Sequence, residues 1–182
     1  ERIRFRAIAA IASVSPDDAA TVRLLRRALH DKAGNVKYTA VYHLGNLGPK
    51  AAGAVPELIP LLDSSDLRSH WDTADMGGWI SLRPDVAKAL GQIGLASMAA
   101  LPKLERLLRD EDWRLRNAAA FAHCCISGER TPGLDILLEE LEHGHEWSAQ
   151  KVAEFLGQLK YKHLAEPALE GLKKALKHPE LL

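Results

Sequence analysis

Apolar residues along this chain recur at intervals of three and four, as Val36, Ala40, Leu44 and Leu47 do in one stretch and Val22, Leu25 and Leu29 in another. That spacing lays an apolar stripe on one face of a 3.6-residue helix and differs from the alternation of two that marks a strand. Punctuation agrees with helices. Ser15-Pro16, Gly48-Pro49 and Thr131-Pro132 each set a stop or N-cap residue directly before a proline suited to a first helical turn. The stripes also repeat: VKYTAVYHLGNLG (36–48) aligns with LRPDVAKALGQIG (82–94), so that Gly45 falls on Gly91, Gly48 on Gly94, Pro56 on Pro102 and Leu62 on Leu108. A shift of 33 residues sets Leu82, Arg83 and Leu101 on Leu115, Arg116 and Leu134. The same shift backwards sets Ile3, Ala7, Ile11 and Val14 on Val36, Ala40, Leu44 and Leu47. A fifth unit follows around Leu156, Gly157 and Leu159.

The prediction is an all-α chain, an α-solenoid (α-α superhelix) of about five helix pairs forming a single domain over 1–182. The pairs span approximately 1–31, 34–63, 81–110, 113–143 and 146–178, and an insertion occupies 64–80. One pair of this size cannot bury its apolar face alone, but stacked pairs can, each against its neighbours. Leu44, Leu90 and Leu156 belong to the shared seam. The small residue at Gly45, Gly91, Cys124 and Gly157 falls inside the first helix of its pair. Glycine there costs up to about 1 kcal/mol, so a close helix approach is expected at these positions.

A period near 33 also suits ankyrin and tetratricopeptide repeats, yet neither T-P-L-H-x-A nor W-x-x-L-G-x-x-Y occurs. What recurs is LGNLG…AVPELIPLL (44–62) and LGQIG…ALPKLERLL (90–108). This pattern resembles the short HEAT-like repeats, armadillo-like in form, found in relatives of the phycobilin lyases. The first copy departs from it with Ala12 and Ser15 in place of the glycines, and the fourth with His123, Cys124 and Ser127. The resemblance implies a scaffold for protein binding whose second helices line a concave surface. Its alternative implication is a tetrapyrrole-handling protein or enzyme subunit of the phycobilin lyase kind. One HEAT-repeat enzyme, deoxyhypusine hydroxylase, binds two irons through His-Glu pairs seven and six residues before the helix glycine. The corresponding pairs here are Tyr38-Thr39, Pro84-Asp85, Asn117-Ala118 and Gln150-Lys151, so that ligand set is not expected.

Charge sharpens the partner class. The chain carries 24 Lys/Arg against 24 Asp/Glu, a balance that argues against nucleic acid as the partner. The balance is uneven along the chain: residues 1–50 hold nine basic and four acidic side chains, and residues 51–150 hold nine and sixteen. No apolar run approaches the ~18 residues that would cross a bilayer, so no membrane span is expected. The start lacks methionine and lies inside a helical pattern, which predicts further repeats or a domain N-terminal to it. Cys124 and Cys125 are adjacent within a helical pattern and read as small buried hydrophobes rather than a disulfide.

The expected partner is another protein or peptide, with no cofactor, no metal and no catalytic residue. The insertion SSDLRSHWDTADMGGWI (64–80) carries His70, Trp71, Asp72, Asp75, Met76 and Trp79, which either fold back onto the groove between pairs or contact a partner. Arg23, Arg26 and Arg27, with His30, form a basic stripe on the second helix of the first pair. The matching helix of the fourth pair carries Asp135, Glu139, Glu140 and Glu142 instead. A concave surface graded from positive to negative is therefore expected. Trp79, Trp113 and Trp147 are spaced by 34 and 34 and form either a ladder sealing one pair against the next or an exposed ridge. His145-Glu146 reads as a polar helix start and His123 as a core histidine.

Overall fold

The computed structural model describes residues 2–16, 18–64, 68–70, 79–130 and 132–175. First helices α1 (Arg2–Val14), α3 (Gly34–Leu47), α5 (Arg83–Ile93), α7 (Trp113–Ser127) and α9 (Glu146–Gly157) alternate with shorter or comparable second helices. These are α2 (Ala19–Ala28), α4 (Val55–Leu61), α6 (Leu101–Leu107), α8 (Gly133–His143) and α10 (Lys162–Ala175). The protein is all-α apart from a small hairpin in the insertion.

Local chemistry sets the helix ends. Asp18 accepts a hydrogen bond from the Ala20 amide at 2.8 Å and caps α2, and Asp112 does the same for Arg114 at 3.0 Å at the start of α7. Gly48 and Gly94 end α3 and α5 at φ +57° and +79°, a region open mainly to glycine. Each is followed by a seven-residue 3₁₀ segment, Gly48–Ala54 and Gly94–Ala100, that the apolar pattern does not forecast. Small residues make this possible. Ala51, Ala54 and Ala100 are fully buried, so the backbone itself tucks against the pair where a longer side chain would hold it off.

Each first helix packs on the next, α1 on α3, α3 on α5, α5 on α7 and α7 on α9, while the second helices pack against the first helices beside them. Leu44, Leu90 and Leu156 are buried as the seam requires, and Leu25, Leu58, Leu104, Leu134 and Leu164 answer them from the second helices. Each buried leucine contributes roughly 1.5–3 kcal/mol relative to exposure, so the seam supplies most of what holds the layers together. Phe121 and Phe155 stack at 4.8 Å between α7 and α9.

The repeated small position behaves in three ways. A Cβ added at Gly91 would lie 2.7 Å from the Ala122 Cα, and one at Gly45 would lie 3.1 Å from the Ala89 Cα, so α5 does approach both neighbours closely. Cys124 meets the second helix instead: a Cβ at Gly133 would come within 2.8 Å of its Sγ. At Gly157 nothing lies within 4 Å, and no close approach explains that glycine.

On α1 the line equivalent to buried Val36 and Leu44 is bare, with Ile3 84% and Ile11 44% exposed. Helix α3 packs on both helices of the pair before it, and among the described residues α1 has no such pair.

The insertion is not a plain outgrowth. Strands β1 (Arg68–His70) and β2 (Trp79–Ser81) pair antiparallel, with Ser69 opposite Ile80 and His70 opposite Trp79. Strand β1 packs against α3. Trp71, Asp72, Asp75 and Met76 lie outside the described residues. No described helix is long and apolar enough to cross a membrane.

Candidate binding groove

The second-helix stripes turn out to be partly consumed by the fold. Arg26 on α2 donates to Glu57 on α4 at 2.9 Å, and Arg116 on α7 donates to Glu140 on α8 at 3.1 Å. These pairs tie helices together. Arg23, Arg27 and Glu139 remain exposed.

Side chains of α5 and α9 meet on one face of the first helices. Lys88 Nζ on α5 donates to Glu154 Oε1 on α9 at 2.8 Å, reaching across α7, and Gln92 meets Gln158 at 3.5 Å farther along. These contacts define a polar bridge on the first-helix face.

A groove of about 700 Å³ opens on this face. Pro84, Asp85 and Lys88 come from α5, Trp113, Arg114 and Ala118 from α7, and Trp147, Gln150, Lys151, Glu154 and Phe155 from α9. Those on α5 and α7 come from the first two turns and those on α9 run from Trp147 in its first turn to Phe155 in its last, so successive first helices deliver them to one place. Ser81, at the end of β2, lines it too.

Trp113 is half-buried and meets the His145 ring edge-on at 5.0 Å, while the Arg114 guanidinium sits 5.8 Å from its ring centre. Trp147 is 73% exposed. Of the two readings for the tryptophans, Trp113 and Trp147 therefore follow the exposed-ridge one more closely; they wall a groove and Trp147 seals nothing. The Trp79 side chain lies outside the described residues.

Glu154 is the hub of the groove. Burial works against its charge, but hydrogen bonds from Lys151 and Lys88 outweigh that and bring its carboxyl down to about 2. Both ammonium groups also lie over the Phe155 ring, Lys88 at 5.8 Å and Lys151 at 5.5 Å from its centre. Asp85 behaves oppositely: burial pushes its carboxyl up to about 6, although Lys151 and Lys88 pull it down.

This makes Asp85 a stability liability at neutral pH. A folded-state value raised above the unfolded one means that the fold gains a proton, and stability, as pH falls through about 6 toward the unfolded value of 3.8. Asp85→Asn is expected to stabilise the chain at pH 7.5 by about 1–2 kcal/mol once partial solvent access is allowed for, or roughly 3–6 °C in Tm. Calorimetry at pH 7.5 and 4 checks it: the gain should vanish at the lower pH, and an equal gain at both would refute the burial cause.

The remaining polar candidates are structural. His145 caps α9, its Nδ1 accepting from the Ser148 amide at 3.3 Å, which is the polar helix start expected of it. His123 is buried, and burial holds its imidazole below the usual value against the pull of Glu105 and Glu129. Burial likewise pushes the thiols of Cys124 and Cys125 up to about 12, far from a reactive thiolate. Among the described residues no group of three or more His, Cys, Asp or Glu is placed to hold a metal ion.

Sequence reading along each helix missed Asp85, Lys88, Arg114, Lys151, Glu154 and Phe155. A signal was present: Lys88, Phe121 and Glu154 are spaced by 33 and 33, one row across the pairs, and Asp85, Ala118 and Lys151 form the adjacent row. Reading across the repeats finds the groove. No family model matches the chain, and no curated protein matches it either.

Proposed function

We propose that the chain is a HEAT-like α-solenoid acting as a protein-binding scaffold, and that its contact surface is the first-helix groove bordered by the insertion. Supporting the solenoid reading are the 33-residue register and the serial packing of first helices, in which each pair buries its stripe against the next. The contact reading rests on one observation above the others: Trp147 stands 73% exposed at the wall of a groove that also holds Trp113 and Phe155. Exposed tryptophan beside a concavity is the residue type that most often anchors an interface. A preformed surface also loses little conformational entropy on binding, so the partner's contacts are not spent on ordering the scaffold.

Selection of a random dodecapeptide phage library on the immobilised chain tests this. A family of peptides that fails to bind the Trp147→Ala variant supports the reading. Absence of any enriched family, or an enriched family indifferent to Trp147 and Trp113, overturns it.

A further inference from the structure

The groove's charges allow its partner to be described more closely, an inference that rests on the scaffold reading above. Its lining holds three cations, Lys88, Arg114 and Lys151, against two carboxylates, Asp85 and Glu154. Glu154 is already bound by both lysines, Lys88 at 2.8 Å and Lys151 at 2.6 Å. Each ammonium has three N–H donors, and each gives one to Glu154, so donors remain that face the groove. Arg114 stands on the rim with its side chain 57% exposed, 3.5 Å from Asp112, whose carboxylate also caps α7.

Asp85 is the carboxylate that could attract a cation, and its surroundings oppose that. It is half-buried, its charge is disfavoured by that burial, and the nearest charged groups are Lys151 and Lys88. A guanidinium or ammonium brought to Asp85 would have to settle among three like charges. A carboxylate meets the reverse situation, with unused donors on two lysines and an arginine beside the apolar face of Trp147.

We propose that the groove takes an acidic segment of a partner protein, with its carboxylates on Lys88, Lys151 and Arg114 and a neighbouring apolar side chain against Trp147. The arrangement separates two tasks. Aromatic area supplies most of the affinity, and the cation excess selects the sign of the partner.

The same peptide selection tests the inference separately from the scaffold reading. The enriched peptides should carry a clear excess of Asp and Glu, and a synthetic member with those residues changed to Asn and Gln should bind roughly tenfold more weakly at low salt. The gap should narrow at high salt, because charges this exposed are screened within about 8 Å at physiological ionic strength. Arg114→Gln, which leaves the Lys88–Glu154–Lys151 brace intact, should weaken the acidic peptide several-fold and leave its Asn/Gln form unchanged. Enriched peptides that are neutral or basic, or a neutralised peptide that binds as well as the acidic one, overturn the acidic assignment while the scaffold stands. Failure to enrich any peptide removes both.

Discussion

Gly91→Leu is expected to destabilise the chain by at least about 3 kcal/mol, a drop of roughly 10 °C in Tm, because overpacking here meets backbone and not a movable side chain. Even a bare Cβ at position 91 would sit 2.7 Å from the Ala122 Cα, 3.1 Å from its Cβ and 3.3 Å from the Phe121 ring. Neither atom of Ala122 can retreat without moving α7, which is buried along most of its length. Phe121 is held in turn by its stack on Phe155. The aligned glycines provide internal controls. At Gly45 the nearest atom is the flexible end of Gln92, with the Ala89 backbone at 3.1 Å, so alanine should cost less than at Gly91. At Gly157 nothing lies within 4 Å, and alanine should stabilise by up to about 1 kcal/mol through helix propensity alone. Thermal unfolding followed by circular dichroism should rank the three alanine variants in that order. Equal effects at all three positions would mean that close approach is not what the glycines serve.

Trp147→Ala is expected to weaken binding of a selected peptide by roughly thirtyfold or more, the scale of an interface hot spot losing an aromatic anchor. The fold should barely notice. With 73% of its surface already in water, Trp147 contributes little to burial, and Tm should move by no more than about 1 °C. Trp113→Ala provides the contrast, since that ring is half-buried and rests edge-on against His145 at 5.0 Å. Its removal should lower both affinity and Tm. Calorimetric titration paired with thermal unfolding separates the two, and an unchanged affinity in Trp147→Ala would remove the tryptophan wall from the binding surface.

The helices were legible because their pattern is local. Stripes such as Val36, Ala40 and Leu44 and stops such as Gly48-Pro49 act within a turn or two, so the sequence alone places the pairs and the seam. The 3₁₀ segments at Gly48–Ala54 and Gly94–Ala100 were not legible, since alanine- and glycine-rich stretches carry no stripe to read. The pairing of charges between helices was harder still. The basic and acidic stripes on α2 and α8 were read correctly as charge, but nothing in one helix reveals that Arg26 finds Glu57 or that Glu140 finds Arg116. The groove became readable only across the rows Asp85, Ala118, Lys151 and Lys88, Phe121, Glu154, where the repeat brings together residues 66 positions apart.

Hydrogen exchange of the chain with and without a selected peptide tests most directly that partners bind the first-helix face. Exchange should slow in the first two turns of α5 and α7 and along α9, which carry Asp85, Lys88, Trp113, Trp147 and Glu154, and stay unchanged in α2 and α8. Slowing confined to α2 and α8, with the first helices unaffected, would contradict it.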